Sequence, residues 1–373
     1  MTQTKNSCLF SILGTVRLIV STGLLTDALL TLIPLWWNEG VLYNLSATED
    51  NARVCIVSFL LLLLPGISFL PLSRYTRWIP LLALVLFMLP AVQSALAFSN
   101  LEASTAPGCR SSFSWGSWIK GYQPAVTEET LEMTSANGQK LQALAYTKNG
   151  QTEKRFAVIV LHGGGFTTGA AQHGKSLAAA LADHGWLAIT AEYRLAPQTQ
   201  YPGQVQDVQE WIQFLKSHAA RWSIDTSRFF LAGESAGATI ALNAAYTLQN
   251  SNICAVANLY GICDAGASQS EPSITDVTAM LDAYRGSEVF ESISPVAQAS
   301  VSGLPTISIH GKRDPIISWK HASLLSTTLD RAQIENQLVL LPWATHLFNH
   351  PAYGPSGQLA VEYIDRFFRR QLQ

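Results

Sequence analysis

Five residues, Gly233-Glu234-Ser235-Ala236-Gly237, constrain this chain more than any others. They follow a short apolar run at 229–232 and open an alanine-rich helical stretch at 236–248. A chain that passes from strand to helix in so few residues must turn sharply. Small residues flanking the serine let neighbouring backbones approach, and the turn projects the hydroxyl at the carboxyl edge of a sheet. The helix N-terminus behind it offers free N–H groups and partial positive charge to a developing anion. Ser235 is therefore the candidate nucleophile.

The surrounding pattern supports such a sheet. The run FAVIVL at 156–161 is continuously apolar, as expected of a strand buried on both faces. Residues 141–146 alternate like a strand with one exposed face, and 186–191, 253–259, 306–309 and 337–341 read as further strands. Helical spacing covers 176–184, 205–218 and 358–372. Alternation of strands and helices from Val126 onward predicts an α/β class with a mostly parallel sheet and helices on both faces. Residues 264–302 break the rhythm between two strands and read as an inserted lid.

His162-Gly163-Gly164-Gly165 directly follows the 156–161 strand. Three glycines let a backbone turn its N–H groups toward one point, where with that of Ala236 they hold an oxyanion. A phosphate loop would need a Lys-Ser/Thr ending or a G-x-G-x-x-G pattern, and neither is present. His162 reads as the residue that orients this loop. A serine hydroxyl needs a base, and the base an orienting carboxylate. Asp314 lies just past the 306–309 strand and His346 just past the 337–341 strand. The order Ser235, Asp314, His346 suits strands that deliver all three to one edge. Asp264 also follows a strand, but a pocket or lid-hinge role suits it better, and His310 and His350 read as loop supports.

The first hundred residues differ in kind. Charged residues make up 13% of the chain, about half the usual share. The deficit is concentrated in residues 8–98, where Arg17, Asp27, Glu39, Glu49, Asp50, Arg53, Arg74 and Arg77 are the only charges. The runs 54–72 and 78–98 carry none and meet the ~20-residue length of a membrane-spanning helix. A third, 9–32, contains Arg17 and Asp27, which read as snorkelling near helix ends. Two to three transmembrane helices in residues 1–98, a linker over 99–125 and a catalytic domain over 126–373 are expected. Apolar material in three blocks fits a cleaved signal peptide poorly. In a three-span arrangement Lys5, Arg17, Arg74 and Arg77 share one side, against Arg53 and Arg110. The positive-inside rule then puts the catalytic domain on the non-cytoplasmic side, periplasmic or extracellular.

A net charge of −2 with no basic run points away from nucleic acid. The five cysteines show no CxxC and no Cys/His ligand spacing, so neither a metal site nor a redox centre is expected. Cys254 and Cys263 flank one predicted strand, roughly 25–30 Å apart if it is extended, which leaves small buried hydrophobes or free thiols.

Residues 157–346 resemble the hormone-sensitive-lipase-type branch of the α/β hydrolases and the neighbouring feruloyl/acetyl-xylan esterase-like group. The carriers are HGGGF at 162–166, EYRLAP at 192–197 with Tyr201-Pro202, GESAG at 233–237, and Asp314-Pro315. The resemblance implies an α/β-hydrolase fold and hydrolysis of short or medium acyl esters without a cofactor. It makes Gly163 and Gly164, with Ala236, the oxyanion donors. The substrate would be a small-molecule, lipid or glycan ester. Tyr193, Arg194 and Asp207 match the pattern and read as scaffold. The sequence departs from it at Glu234, where the branch often has Asp, and after His346, where Leu347-Phe348 replaces the frequent Gly-Phe. The same machinery also serves thioesterases and peptidases. A catalytically silent binding domain usually lacks one of the three site residues, and all three are kept here.

Overall fold

The computed structural model describes residues 88, 92–97, 113–121, 123–151, 153–248, 251–268 and 292–373. The chain divides into two units, Met1–Ile119 and Lys120–Gln373. In the first, residues 88 and 92–97 are helical. The expected spans 9–32 and 54–72 lie outside the described residues, as does 78–98 apart from those seven positions. No helix among the described residues is long and apolar enough to cross a membrane. The region expected to be a linker carries a helix, Trp115–Lys120. Ser114 starts it, its Oγ accepting the backbone N–H of Ser117 at 3.1 Å, the usual satisfaction of a helix's orphan donors.

The second unit holds an eight-stranded sheet of order β1-β2-β4-β3-β5-β6-β7-β8. The strands are β1 (Val126–Thr134), β2 (Lys140–Lys148), β3 (Arg155–Leu161), β4 (Leu187–Ala191), β5 (Ile224–Glu234), β6 (Ile253–Leu259), β7 (Thr306–Gly311) and β8 (Asn336–Leu341). From β3 to β8 every pairing is parallel, and β1 and β2 are antiparallel to their neighbours. The sheet therefore begins with a hairpin and not with the strand–helix alternation expected from Val126. Its turn contains Asn137-Gly138, with the N–H of Gly138 donated to Ser135 O at 2.8 Å, and Asn-Gly is the strongest short-range hairpin signal. Strand β5 is longer than the apolar run at 229–232, because its polar first half extends the strand at the amino edge of the sheet.

Among the described residues of this unit the helices of eight residues or more are α1 (Lys175–Asp183), α2 (Gly203–Ser217), α3 (Ala236–Thr247), α4 (Pro295–Ser302), α5 (Lys320–Arg331) and α6 (Pro355–Arg370). Helix α1 packs with α6, while α2, α3, α4 and α5 pack in succession. Residues Ala157–Leu161 of β3 and Leu187–Ile189 of β4 have no exposed surface, so both faces of the sheet are covered. That accounts for the unbroken apolar runs of the parallel strands. Helix α3 is buried almost all round, and its alanines let it lie close against β5 and β6. Within the region read as a lid, 269–291 lies outside the described residues, and α4 occupies its carboxyl end.

Because β3 through β8 are parallel, one edge of the sheet collects everything that follows a strand. It receives the loop after β3 at His162, the turn after β5 at Ser235, Tyr260 after β6, the acid loop after β7 and the histidine loop after β8. Strand β3 lies between β4 and β5, where the strand order reverses, and that crevice is where such sheets bind ligands.

Candidate active site

Ser235 joins β5 to α3 with φ 53° and ψ −121°, a conformation that L residues avoid and that persists only where packing over-determines it. The flanking glycines supply that packing. A Cβ on Gly233 would lie 2.3 Å from Gly237 O, and one on Gly237 would lie 2.3 Å from Leu161 O. The elbow is thus pressed against itself and against the end of β3, and neither position accepts a side chain.

His346 connects the serine to the acid. Its Nε2 lies 3.1 Å from Ser235 Oγ and its Nδ1 lies 2.7 Å from Asp314 Oδ2. Asp314 Oδ1 accepts two further hydrogen bonds, from the N–H groups of Ile316 (2.8 Å) and Ile317 (3.0 Å), and His310 Nε2, bonded to Ile317 O at 2.9 Å, lies 3.2 Å from Oδ2. Burial alone would push this carboxyl up, but His346 and His310 hold it well below the usual carboxylate range. It stays ionised and able to fix the His346 tautomer with hydrogen on Nδ1. Ser235 and His346 are 5% and 4% exposed, so the developing charges sit in a low dielectric where fixed donors count for more.

The glycine loop stands against the elbow. A Cβ built on Gly163 would be 3.2 Å from Ser235 Cβ. Gly164 has φ 128°, and a Cβ there would lie 2.0 Å from Thr168 O. Among the described residues, no protein acceptor takes the N–H of Gly163, Gly164 or Ala236. His162 holds the loop: its Nδ1 lies 2.7 Å from Gly163 O, and its ring stacks on Tyr193 with centroids 4.4 Å apart. Burial pushes it down to about 4, so it stays neutral. Tyr193 donates to His162 O (2.9 Å), and Arg194 pairs with buried Asp207 through Nε at 2.7 Å and its backbone N–H at 2.8 Å. These three are scaffold, as expected.

A second, largely buried cluster includes His350, which the sequence marked as a loop support, with partners that the sequence did not mark. Glu234, 1% exposed, accepts from Asn349 Nδ2 on Oε1 and from His350 Nε2 (2.9 Å) on Oε2. Asn349 Oδ1 in turn accepts from Tyr260 OH at 2.6 Å, and the Tyr260 ring leans on His346 with centroids 4.5 Å apart. Burial, with Glu234 and Asp314 adding to it, pushes the Tyr260 phenol far up, so it remains a donor. Burial opposes charge on His350, but Glu234 prevails and raises it. Tyr260 carries a further signal, a polar aromatic directly after a strand at the carboxyl edge. Asp264 serves elsewhere: its Oδ1 accepts the N–H of Gly266 at 2.8 Å, opening the short helix Ala265–Ser268.

The arrangement combines a strained serine, a histidine oriented by a buried carboxylate, and unclaimed N–H donors. The solved structure of esterase B from Lactobacillus rhamnosis superimposes with a TM-score of 0.58 at 22% identity, over 67% of this chain and 87% of that one. The fold is that of the α/β hydrolases. A family model described as BD-FAE matches residues 145–329, from within β2 to within α5. Esterase LipC of Mycobacterium tuberculosis is 25% identical over 251 residues, which is 61% of this chain and 62% of LipC. The acetyl esterase of Salmonella typhi is 28% identical over 145 residues, or 37% of this chain and 44% of its own length. The chain thus matches less than two thirds of the length of either. Cys254 and Cys263 are free thiols, Cys263 buried, and Cys8, Cys55 and Cys109 lie outside the described residues.

Proposed function

We propose that this chain is a serine hydrolase of carboxylic esters that works through an acyl-enzyme. The observation that carries the reading is the relay from Asp314 Oδ2 through His346 to Ser235 Oγ, at 2.7 and 3.1 Å. In the first half-reaction Ser235 Oγ attacks the ester carbonyl while His346 Nε2 takes its proton. The oxyanion so formed is held by the N–H groups of Gly163, Gly164 and Ala236. The same proton then goes to the leaving alkoxide, the C–O bond breaks, and the alcohol departs. Water repeats the sequence: His346 takes its proton, hydroxide adds to the acyl carbon, and Ser235 regains a hydrogen as the acid leaves. Asp314 stays a carboxylate throughout and stabilises the imidazolium. The likeness to LipC and the acetyl esterase favours oxygen esters over thioesters and peptides.

Hydrolysis of p-nitrophenyl esters of graded chain length, alongside acetylated sugars, tests the reading. Turnover that vanishes in Ser235→Ala is expected, and turnover that survives the substitution would overturn it. We further propose that residues 1–98 anchor the domain in a membrane, with two to three spans over about 9–32, 54–72 and 78–98. The charge pattern supports a catalytic domain on the non-cytoplasmic side.

A further inference from the structure

We infer that Tyr260 is a positioning residue of this site: its ring backs His346, and its hydroxyl, through Asn349 and Glu234, ties the histidine loop to the nucleophile elbow. The inference rests on the serine-hydrolase reading above. Ser235 and His346 are 111 residues apart in the chain, yet proton transfer needs them within hydrogen-bond reach. The place of Tyr260 between them is fixed by its backbone. It follows β6 with φ 45°, a conformation that bulky L residues avoid and that surrounding structure must hold. Hydrogen bonds on either side supply the hold: Ser235 N–H donates to Leu259 O at 2.9 Å, and Tyr260 N–H donates to Ile309 O at 3.1 Å. Gly261 comes next, where a Cβ would lie 2.7 Å from the Cβ of Ala238, so the chain is pressed against α3. The side chain therefore starts from a point shared by the elbow and β7.

From there one fully buried side chain touches three residues of the histidine loop. Its ring meets His346 with centroids 4.5 Å apart and Phe348 edge-to-face at 5.2 Å, and its hydroxyl donates to Asn349 Oδ1 at 2.6 Å. Asn349, equally buried, donates from Nδ2 to Glu234 Oε1. Glu234 is joined covalently to Ser235, so the path closes on itself: Glu234, Asn349, Tyr260, His346 and back to Ser235 Oγ. Its polarity is set by the phenol. Burial raises the phenol far above its ordinary range, so it keeps its hydrogen and gives it to the amide oxygen, which leaves the amide nitrogen for Glu234. Without the hydroxyl the buried Asn349 oxygen loses its donor, a costly state that favours another amide rotamer. His346 would then keep its aromatic neighbour but lose the brace that fixes its distance from Ser235.

The test is a kinetic cycle on the full chain with a p-nitrophenyl ester, comparing the parent, Tyr260→Phe, Asn349→Ala and the double variant. Each kcat is expressed per active site counted by fluorophosphonate titration, so that loss of folded protein does not register as loss of rate. Tyr260→Phe keeps the ring and should lower kcat about 10-fold with KM changed less than about 2-fold, the mark of a misaligned base. In the Asn349→Ala background the same substitution should cost less than about 2-fold, because the path is already cut. Tyr260→Phe with the parent kcat per site, whatever its Tm or KM, means that Tyr260 is a core residue only, and the inference falls. Effects that multiply in the double variant also overturn it, since the hydroxyl then does not act through Asn349. If Asn349→Ala does not fold, kcat and KM of Tyr260→Phe decide alone. A parent that hydrolyses no ester and takes up no fluorophosphonate sinks the esterase reading and the inference with it. An active parent beside an unaffected Tyr260→Phe sinks the inference alone.

Discussion

At the scale of single residues, the site separates groups that react from groups that hold them. In the proposed mechanism Asp314 never exchanges a proton with substrate, yet it accepts three hydrogen bonds. Asp314→Asn keeps the volume and leaves the fold intact, but its amide can present a donor to Nδ1 and so favour the wrong tautomer of His346. Turnover should fall by on the order of 10⁴ with little change in Tm. Steady-state kinetics beside thermal melts read both, and near-parent turnover would mean that another carboxylate is the acid. Ser235, Asp314 and His346 were legible in sequence because each follows a strand that can be read from its apolar run. Glu234, Asn349 and Tyr260 were not, because their meaning lies in contacts across 89 and 115 residues of chain. A pattern read along the sequence has no access to them.

At the scale of elements, two ionic links, one buried and one part-buried, hold pieces that carry the site. Arg194 and Asp207 tie the segment after β4 to α2, and that segment's Ala196 donates its N–H to Phe166 O in the glycine loop at 2.9 Å. Asp207→Ala leaves a buried guanidinium uncompensated and should cost about 3–5 kcal/mol of stability. Denaturant unfolding measures this, and a loss under about 1 kcal/mol would show that the pair contributes little. The second link, Glu234 with His350, joins the elbow to the histidine loop. The folded state raises the proton affinity of His350, so the link stabilises fully below the unfolded value of 6.5. Its contribution is lost as pH rises through the higher folded value. The Tm difference between the parent and His350→Gln should therefore be largest near pH 6 and shrink toward pH 9. A difference that stays flat over that range contradicts the link. Other elements were harder to read. Strand β1 carries Glu128, Glu129 and Glu132 and is mostly exposed at the sheet edge, so it lacks an apolar run. Helix α5 buries only His321, Ala322, Leu325 and Leu329 among polar residues.

At the scale of the whole molecule, the parallel half of the sheet was the most legible part, since strands buried on both faces must be apolar throughout. The opening hairpin is marked in the sequence only by its Asn137-Gly138 turn, since the mostly exposed β1 has no apolar run. The amino-terminal hundred residues carry a different kind of claim, one of location. With the domain outside, protease added to intact cells (or to spheroplasts, if an outer membrane is present) should digest it. Digestion only after lysis would reverse the orientation and move the substrate to cytoplasmic or inner-leaflet esters. The proposed chemistry at Ser235 is open to covalent capture. The full chain treated with a fluorophosphonate and analysed by intact mass and peptide mapping should gain one phosphonyl group, on Ser235, and Ser235→Ala should gain none. Labelling at another residue, or undiminished labelling of the alanine variant, would contradict the account.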